Sequence, residues 1–366
     1  MKFTVEREKL QRALAQVSSI IGSRSMLPLL GNVLIEAEND RLTLTATDLE
    51  LRLTTDIEAK VEESGRTTLP GRKLVSLTGA LAGDEVTFDI NELDQARISC
   101  GTGRFRLVGM AAADFPAGAE FEPIREIKID EGEFKRMIQK ISYAVSADDS
   151  RKVLTGILAS FHDEAALTLV GTDGKRMAMC DATVESSSPS TDGEAIISLK
   201  TMLEAKKLLE AGRTMTLELG EKQCRFVIGD FVLSSRLIDG NYPNYRQVIP
   251  KSCKFEIDLP VAAFLAKLET VSLILSENSS FVVLSLENGK MRISGASSEV
   301  GEGSDELEIE YSGEPFEVSF NPAFLVDPLR IIDSETIKLK FNEPINPVTM
   351  SSGEGFLYVI MPIRKQ

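Results

Sequence analysis

The chain reads as one unit written three times. Phe3 to Leu53, FTVEREKLQRALAQVSSIIGSRSMLPLLGNVLIEAENDRLTLTATDLELRL, is matched by Ile127 to Met179, IKIDEGEFKRMIQKISYAVSADDSRKVLTGILASFHDEAALTLVGTDGKRMAM. Both predict a strand, an amphipathic helix, a loop, a strand, a hairpin and a further strand, with a Thr-Asp pair at the last turn. A weaker third copy runs from Phe255 to Val300, with Ser298-Glu299 where the others carry Thr-Asp, so Asp48, Asp173 and Glu299 recur about every 125 residues. A repeat of this kind excludes most single-core folds, because each copy is one supersecondary unit that must bury its apolar face against a neighbour.

A finer period lies inside the coarse one. Helical patterns begin near Arg7, Arg72, Glu131, Leu199, Pro260 and Pro322, with alternating β-branched runs between them. Turn-rich breaks at Phe115–Glu126 and Ile249–Lys254 suggest domains at 1–124, 125–251 and 252–366. Each holds two helices and about eight strands, an α+β class with helices against antiparallel sheets. The Thr-Asp copies have a plain structural reading. Asp-Gly between alternating apolar residues is a hairpin signal, and an aspartate there bonds its own backbone. A catalytic pair is rarely triplicated along one chain, whereas a turn is copied with its repeat.

Composition narrows the chemistry. His162 is the single histidine, placed in an apparent loop between strands, so Ser-His-Asp triads and multi-histidine metal sites are disfavoured. Cys100, Cys180, Cys224 and Cys253 are scattered without a CxxC pair, which reads as reduced, buried thiols of a cytoplasmic protein. No dinucleotide or P-loop fingerprint occurs, no apolar run reaches the roughly 18 residues that span a bilayer, and MKFTVEREKL lacks an export signal. No metal or cofactor is expected. The formal net charge of −15 argues against nucleic acid only weakly, since local distribution decides binding.

The repeat and the stretches MLPLLGNVLI, TDLEL, TTLPGRK, AADFP, GTDGKRMA, LIDGNYPNYRQVIP and YVIMPIR resemble, in that order, the bacterial sliding-clamp family, the beta subunits of DNA polymerase III. The resemblance covers the whole chain. It implies three similar clamp domains per chain and a head-to-tail homodimer, a six-domain ring that encircles duplex DNA and tethers polymerases without a catalytic site of its own. Geometry agrees. Helices pack about 8–10 Å apart, so six in a ring leave a hole of about 9 Å, while twelve leave about 28 Å. A duplex roughly 20 Å across passes only the second. Charge agrees too. Segments 6–20, 71–82 and 198–212 sum to roughly +1, +2 and +1, segment 130–144 is near zero, and 258–275 and 321–333 are each about −1. The helices are thus spared the acidic excess, as a non-specific phosphate contact requires.

Site expectations follow from the resemblance. Candidate DNA contacts are Arg24, Arg72, Lys73, Arg151, Lys152 and Lys200, each otherwise an ordinary solvated charge; Arg24 matches a family contact. A pocket for short peptides of polymerases and the clamp loader is implied at Leu154, Thr172, Gly174, Lys175, Arg176, Met177, Pro243, Val248, Ile345, Pro347, Val359, Met361, Pro362 and Ile363. Met177 and Val359 would suit a strand core equally well. Lys175, Gln247 and Ile363 depart from the commoner His, Arg and Met of the family, and the charge that Gln247 removes from the pocket edge implies a different peptide preference. For the closing interface, Arg104, Phe105, Arg106 and Leu107 offer a basic-apolar strand. Leu273, Ile274 and Leu275 with the acidic stretch Ser297 to Glu310 offer the complement. Two alternatives stay open: a scaffold of the same fold that ignores DNA, and a carboxylate hydrolase using Asp48, Asp173 or Asp230. The hydrolase needs two carboxylates held in one cleft.

Overall fold

The computed structural model describes residues 1–22, 27–162, 166–188, 192–276, 281–353 and 355–364. Six α-helices form among the described residues, each starting within one residue of the periodic signal: α1 (Arg7–Val17), α2 (Gly71–Ala80), α3 (Glu131–Ile141), α4 (Leu199–Leu208), α5 (Val261–Ser272) and α6 (Pro322–Leu329). Helix α1 shows why. Leu10, Ala13, Leu14 and Val17 recur on one face and are buried, while charged residues take the other. Helix α6 starts on a cap: Asn321 accepts from the Ala323 N–H at 3.0 Å, and Pro322 follows at the first helical position. None of the described helices is long and apolar enough to cross a membrane.

The chain divides into two compact units. The first comprises Met1–Gly132, Glu185–Pro189 and Lys200–Leu237, and the second Glu133–Val184, Ser190–Leu199 and Ile238–Gln366. The division runs through the middle repeat, and the sheets give the reason. In the first unit, nine strands lie in the order Ser186–Ser188, Arg125–Asp130, Thr214–Leu219, Gln223–Ile228, Phe231–Arg236, Leu51–Glu58, Arg41–Thr47, Asn32–Glu38, Gly65–Pro70. The last strand of repeat 2 therefore pairs with a strand of repeat 1, Leu233 opposite Leu53. In the second unit, eight strands lie in the order Gly193–Ser198, Gly156–His162, Ala166–Thr172, Arg176–Thr183, Phe356–Ile360, Val348–Ser351, Thr336–Phe341, Phe255–Pro260. The last strand of repeat 3 pairs there with the equivalent strand of repeat 2, Ala178 opposite Tyr358. Ladder hydrogen bonds thus join the repeats, and repeat 2 is divided between two sheets.

A smaller sheet completes each unit. In the first, Lys60–Glu63, Lys2–Glu6, Glu85–Ile90, Gln95–Cys100 and Gly103–Val108 lie side by side. Phe3 stacks on Phe88 with ring centroids 4.9 Å apart, both wholly buried, each contributing about 1.5–3 kcal/mol of burial. Helices α1 and α2 are linked by the Thr78 hydroxyl, which donates to the Gln11 side-chain carbonyl. In the second unit the order is Gly301–Glu308, Lys290–Ser297, Val282–Glu287, Phe316–Phe320. Each of the four sheets has two edge strands, Gly103–Val108 and Gly301–Glu308 among them. Gly103–Val108, the last strand of repeat 1, pairs only with Gln95–Cys100, and Gly301–Glu308 only with Lys290–Ser297.

Two sequence expectations need correction here. His162 ends a strand rather than lying in a loop, and its Nε2 lies 2.9 Å from the Ser160 hydroxyl, with the ring half-buried. Cys100, Cys180 and Cys224 are buried, but Cys253 is exposed on the connector after repeat 2, where no sheet face covers it.

Candidate functional site

The repeated turns are structural. In repeat 1 the Asp48 carboxylate accepts from the N–H groups of Glu50 and Leu51 at 3.0 and 2.7 Å, and the Thr47 hydroxyl donates to the Leu51 carbonyl. In repeat 2 Asp173 accepts from Lys175 and Arg176 at 2.8 and 2.9 Å, and Thr172 donates to the Arg176 carbonyl. Carboxylates engaged in this way close turns, and they lack the freedom a hydrolase would need. In repeat 3 the alignment shifts by one residue from the expectation. Ser297, not Ser298, holds the threonine position: its hydroxyl accepts from Glu299 N–H, as Thr47 does from Leu49 and Thr172 from Gly174. The loop is also one residue shorter, pairing Ser297 with Gly301 where Thr172 pairs with Met177.

The turn of repeat 2 lies beside the end of the chain. Met177 is opposite Val359 and Arg176 opposite Ile360, and the Met361 N–H donates to the Lys175 carbonyl at 2.9 Å. Six expected pocket residues or their direct neighbours are thus held together by backbone bonds. Met177 and Val359 belong to a buried cluster with Leu158, Val170, Ile196 and Tyr245, so they form a floor rather than a rim. Leu154 is buried as well. The accessible apolar groups are Val248, Ile345, Met361 and Ile363, exposed by 43, 58, 41 and 37%. Pro243, Gly174 and Lys175 are exposed, while Thr172, Pro347 and Pro362 are half-buried. Large apolar residues left in water next to a packed floor are the mark of a recognition surface.

Arg176 has another role than the rim contact its type suggests. Its guanidinium donates to Asp173 at 3.1 Å, to Asp327 of α6 at 2.6 Å and to the Tyr143 carbonyl at 2.7 Å, and lies 4.6 Å from the Phe324 ring centre. Burial, the largest single influence, disfavours the charge, but the Asp327 hydrogen bond together with the Tyr358 hydroxyl and the Asp327 charge outweighs it and holds the group protonated above its ordinary range. It fastens the turn to α6.

The candidate cations separate into kinds. Arg24 lies outside the described residues. Arg72 and Lys73 are exposed on the first turn of α2, where Arg72 donates to the Ile21 carbonyl at 3.2 Å. Arg151 donates to the Asp173 carbonyl at 2.9 Å, bracing the turn while keeping its charge, and Lys152 beside it is exposed. Lys200, on α4, is bound by Asp48 and by Glu50 at 3.0 Å. Burial pulls its pKa down, yet hydrogen bonds to the two acids raise it on balance. Those acids also cancel its field, which weakens it as a phosphate contact.

The expected interface residues fall on or beside the edge strands Gly103–Val108 and Gly301–Glu308. Arg104, Phe105, Arg106 and Leu107 lie in the Gly103–Val108 strand, with Phe105 and Val108 exposed. Leu273 follows α5 and is 79% exposed, while Ile274 and Leu275 are half-buried against Gly303 and Gly295, two glycines opposite each other on adjacent strands. Four residues outside the expected set stand out: Tyr242, Tyr245, Arg246 and Lys251 line hollows beside Pro243 and Gln247. The signal was present in NYPNYRQVIPK, two tyrosines followed by two cations.

Comparison with known proteins agrees with this geometry. Residues 1–119, 128–244 and 246–364 match the models of the N-terminal, central and C-terminal domains of the DNA polymerase III beta subunit. The chain is 32% identical to the beta sliding clamp of Chlamydia muridarum over 364 residues, covering 100% of this chain and 99% of the relative. It is equally 32% identical to that of Caulobacter vibrioides over the full length of both. Among solved structures, the DNA polymerase III subunit beta of Pseudomonas aeruginosa superposes with a TM-score of 0.95 at 29% identity, and the DNA polymerase sliding clamp of Caulobacter crescentus with 0.92 at 32%, each covering both chains entirely. A chain of three such repeats, joined sheet to sheet and matched along its whole length, belongs to the family of bacterial DNA polymerase III beta subunits, the sliding clamps.

Proposed function

We propose that two copies of this chain close head to tail around duplex DNA and act as a sliding processivity clamp, an accessory subunit that catalyses nothing itself. The observation that carries this reading is the pair of edge strands Gly103–Val108 and Gly301–Glu308. Within one chain, the last strand of repeat 2 completes the sheet of repeat 1, and the last strand of repeat 3 completes that of repeat 2. The last strand of repeat 1 and the fourth strand of repeat 3 have no such partner among the described residues. A second copy supplies both at once, and a heterologous contact that closes at two copies leaves neither of these edges for further growth.

The internal junctions also set the register. Gly103 starts its strand after a hairpin turn at Gly101, as Phe231 does after Gly229, both glycines at φ +54°. Phe231 lies opposite Thr55, whose counterpart in repeat 3 is Ser304. Gly103 of one copy then meets Ser304 of the other, Arg104 meets Gly303, Phe105 meets Glu302 and Arg106 meets Gly301. Cationic side chains come against an acidic strand.

The three domains of each copy, at 1–124, 125–251 and 252–366, present their helices to the DNA. Arg24, Arg72, Lys73, Arg151 and Lys152 supply contacts to phosphate and none to bases, as sliding requires. Lys200 is a lesser contact. Polymerases and the loader dock short peptides on the surface formed by Val248, Ile345, Met361 and Ile363 above Met177 and Val359. Such a protein works in the cytoplasm. Small-angle X-ray scattering tests the reading. The expected result is a particle of two chains with the distance distribution of a hollow ring, and a compact single chain at every concentration overturns it.

A further inference from the structure

The connector from repeat 2 to repeat 3 carries more than one docking feature. Three hollows, of about 510, 430 and 140 Å³, follow one another along it. The first two share Tyr245, Arg246 and Lys251, and the last two share Pro250 and Lys251. The first also contains Pro243 and Gln247, so the series begins at the edge of the peptide pocket.

The charge along this path is uneven. Arg246 and Lys251 have no ion-pair partner among the described residues. One carboxylate faces them in each of the two larger hollows, Glu194 in the first and Asp181 in the second, and Asp181 already accepts from Thr168 at 2.6 Å. Arg246 is also held in place. It lies 4.7 Å from the Tyr245 ring centre, and its Nη2 donates to His162 Nε2 at 2.6 Å. One of its five N–H donors is thereby used, and the others remain for a ligand. A fixed guanidinium beside a tyrosine and a free lysine is suited to carboxylates presented on an extended chain. The acids interspersed with these cations disfavour a continuous phosphate backbone.

We propose that this connector is a cationic extension of the peptide pocket, which takes an acidic tract flanking the apolar part of the partner peptide through Arg246 and Lys251. The inference rests on the pocket reading and deepens it, because it names what distinguishes one partner peptide from another. Here Gln247 leaves the pocket edge neutral, so the discriminating charge comes from its neighbours.

The test uses the full-length protein and fluorescently labelled peptides that share a Leu-Val-Leu-Phe segment. One pair carries four Asp or four Asn before that segment, and a second pair carries them after it. In low salt, one Asp peptide is expected to bind about tenfold more tightly than its Asn twin. The ratio should fall toward one in the Arg246→Gln, Lys251→Gln double variant and at high salt, while the Asn peptides keep their affinity. A ratio of one for both pairs on the unaltered protein, with binding that Met361→Asp abolishes, overturns the extension and leaves the pocket standing. Failure of all four peptides to bind, or indifference to Met361→Asp, overturns the pocket reading and the extension with it. A ratio that survives the double variant also overturns the assignment. Circular dichroism of each variant separates loss of contact from loss of fold.

Discussion

Leu49 and Gly174 occupy the same place in two copies of one turn, at φ +79° and +87°. Glycine takes that conformation freely, but a leucine there costs about 1–2 kcal/mol, partly offset by the greater freedom glycine loses on folding. Leu49 is 55% exposed and gains little from packing. Leu49→Gly is therefore expected to raise stability by about 0.5–1 kcal/mol, read as a higher denaturant midpoint; a lower midpoint would show that Leu49 packs after all. Gly174→Ala should do the reverse by about 1 kcal/mol. The cysteines give a second prediction. Burial pushes the Cys180 thiol up to about 11 and the Cys224 thiol up to about 12. An unfolded thiol ionises near pH 8.5. The native state thus binds the extra protons, so their contribution to stability is intact below about pH 8.5 and is lost as the pH rises through those native values. At pH 8 a thiol reagent should titrate one group rapidly, Cys253, and four after denaturation. Two rapid thiols in the native protein would contradict the burial.

Strand edges are where elements meet the outside. Most long strands here have two neighbours, and the Lys60–Glu63 edge is short and charged, a common protection against unwanted pairing. Gly103–Val108 is different: six residues long, with Phe105 exposed between two arginines and Val108 exposed at its end. Under the proposed register, Arg104→Glu with Arg106→Glu sets like charges beside Asp305 and its acidic strand, on the face they share. Sedimentation equilibrium should then show single chains at concentrations where the unaltered protein is a dimer. Restoration of the dimer by Asp305→Arg would support the pairing. An unchanged dimer would place the interface elsewhere. The Arg176–Asp327 bond acts at the same scale, since it ties a turn of repeat 2 to a helix of repeat 3.

At the level of the whole molecule, charge acts by distribution. The helices carry almost none of the net −15, and in a closed ring the exposed cations of α2 and of the Arg151–Lys152 turn would meet phosphate. Replacing Arg24, Arg72 and Lys73 with Glu should shorten retention on circular DNA and lower the slope of log affinity against log salt by about 2–3. Lys200→Glu alone should change DNA retention little but lower stability, because it breaks a contact with Asp48 and Glu50 and adds a third acid. If Lys200→Glu lowers retention as much as the triple variant, the internal ion pair does not shield it.

The repeat, the six helices and the Thr-Asp turns were legible in the sequence because each rests on local periodicity or on side chains bonding their own backbone. Helix starts fell within one residue, and Asp48 and Asp173 bind the N–H groups two and three positions ahead. The third copy was misaligned by one residue because its loop is shorter, which only strand pairing reveals. Contacts between positions far apart in the chain were not legible either. The links of Arg176 to Asp327, Lys200 to Asp48 and Arg246 to His162 join residues 151, 152 and 84 positions apart. No pattern in a single sequence couples such distant positions. By itself the sequence determined which segments fold and how often they recur; tertiary structure decided which charges are neutralised, which apolar residues stay in water and which strand edges remain open, because those depend on what the chain brings alongside them.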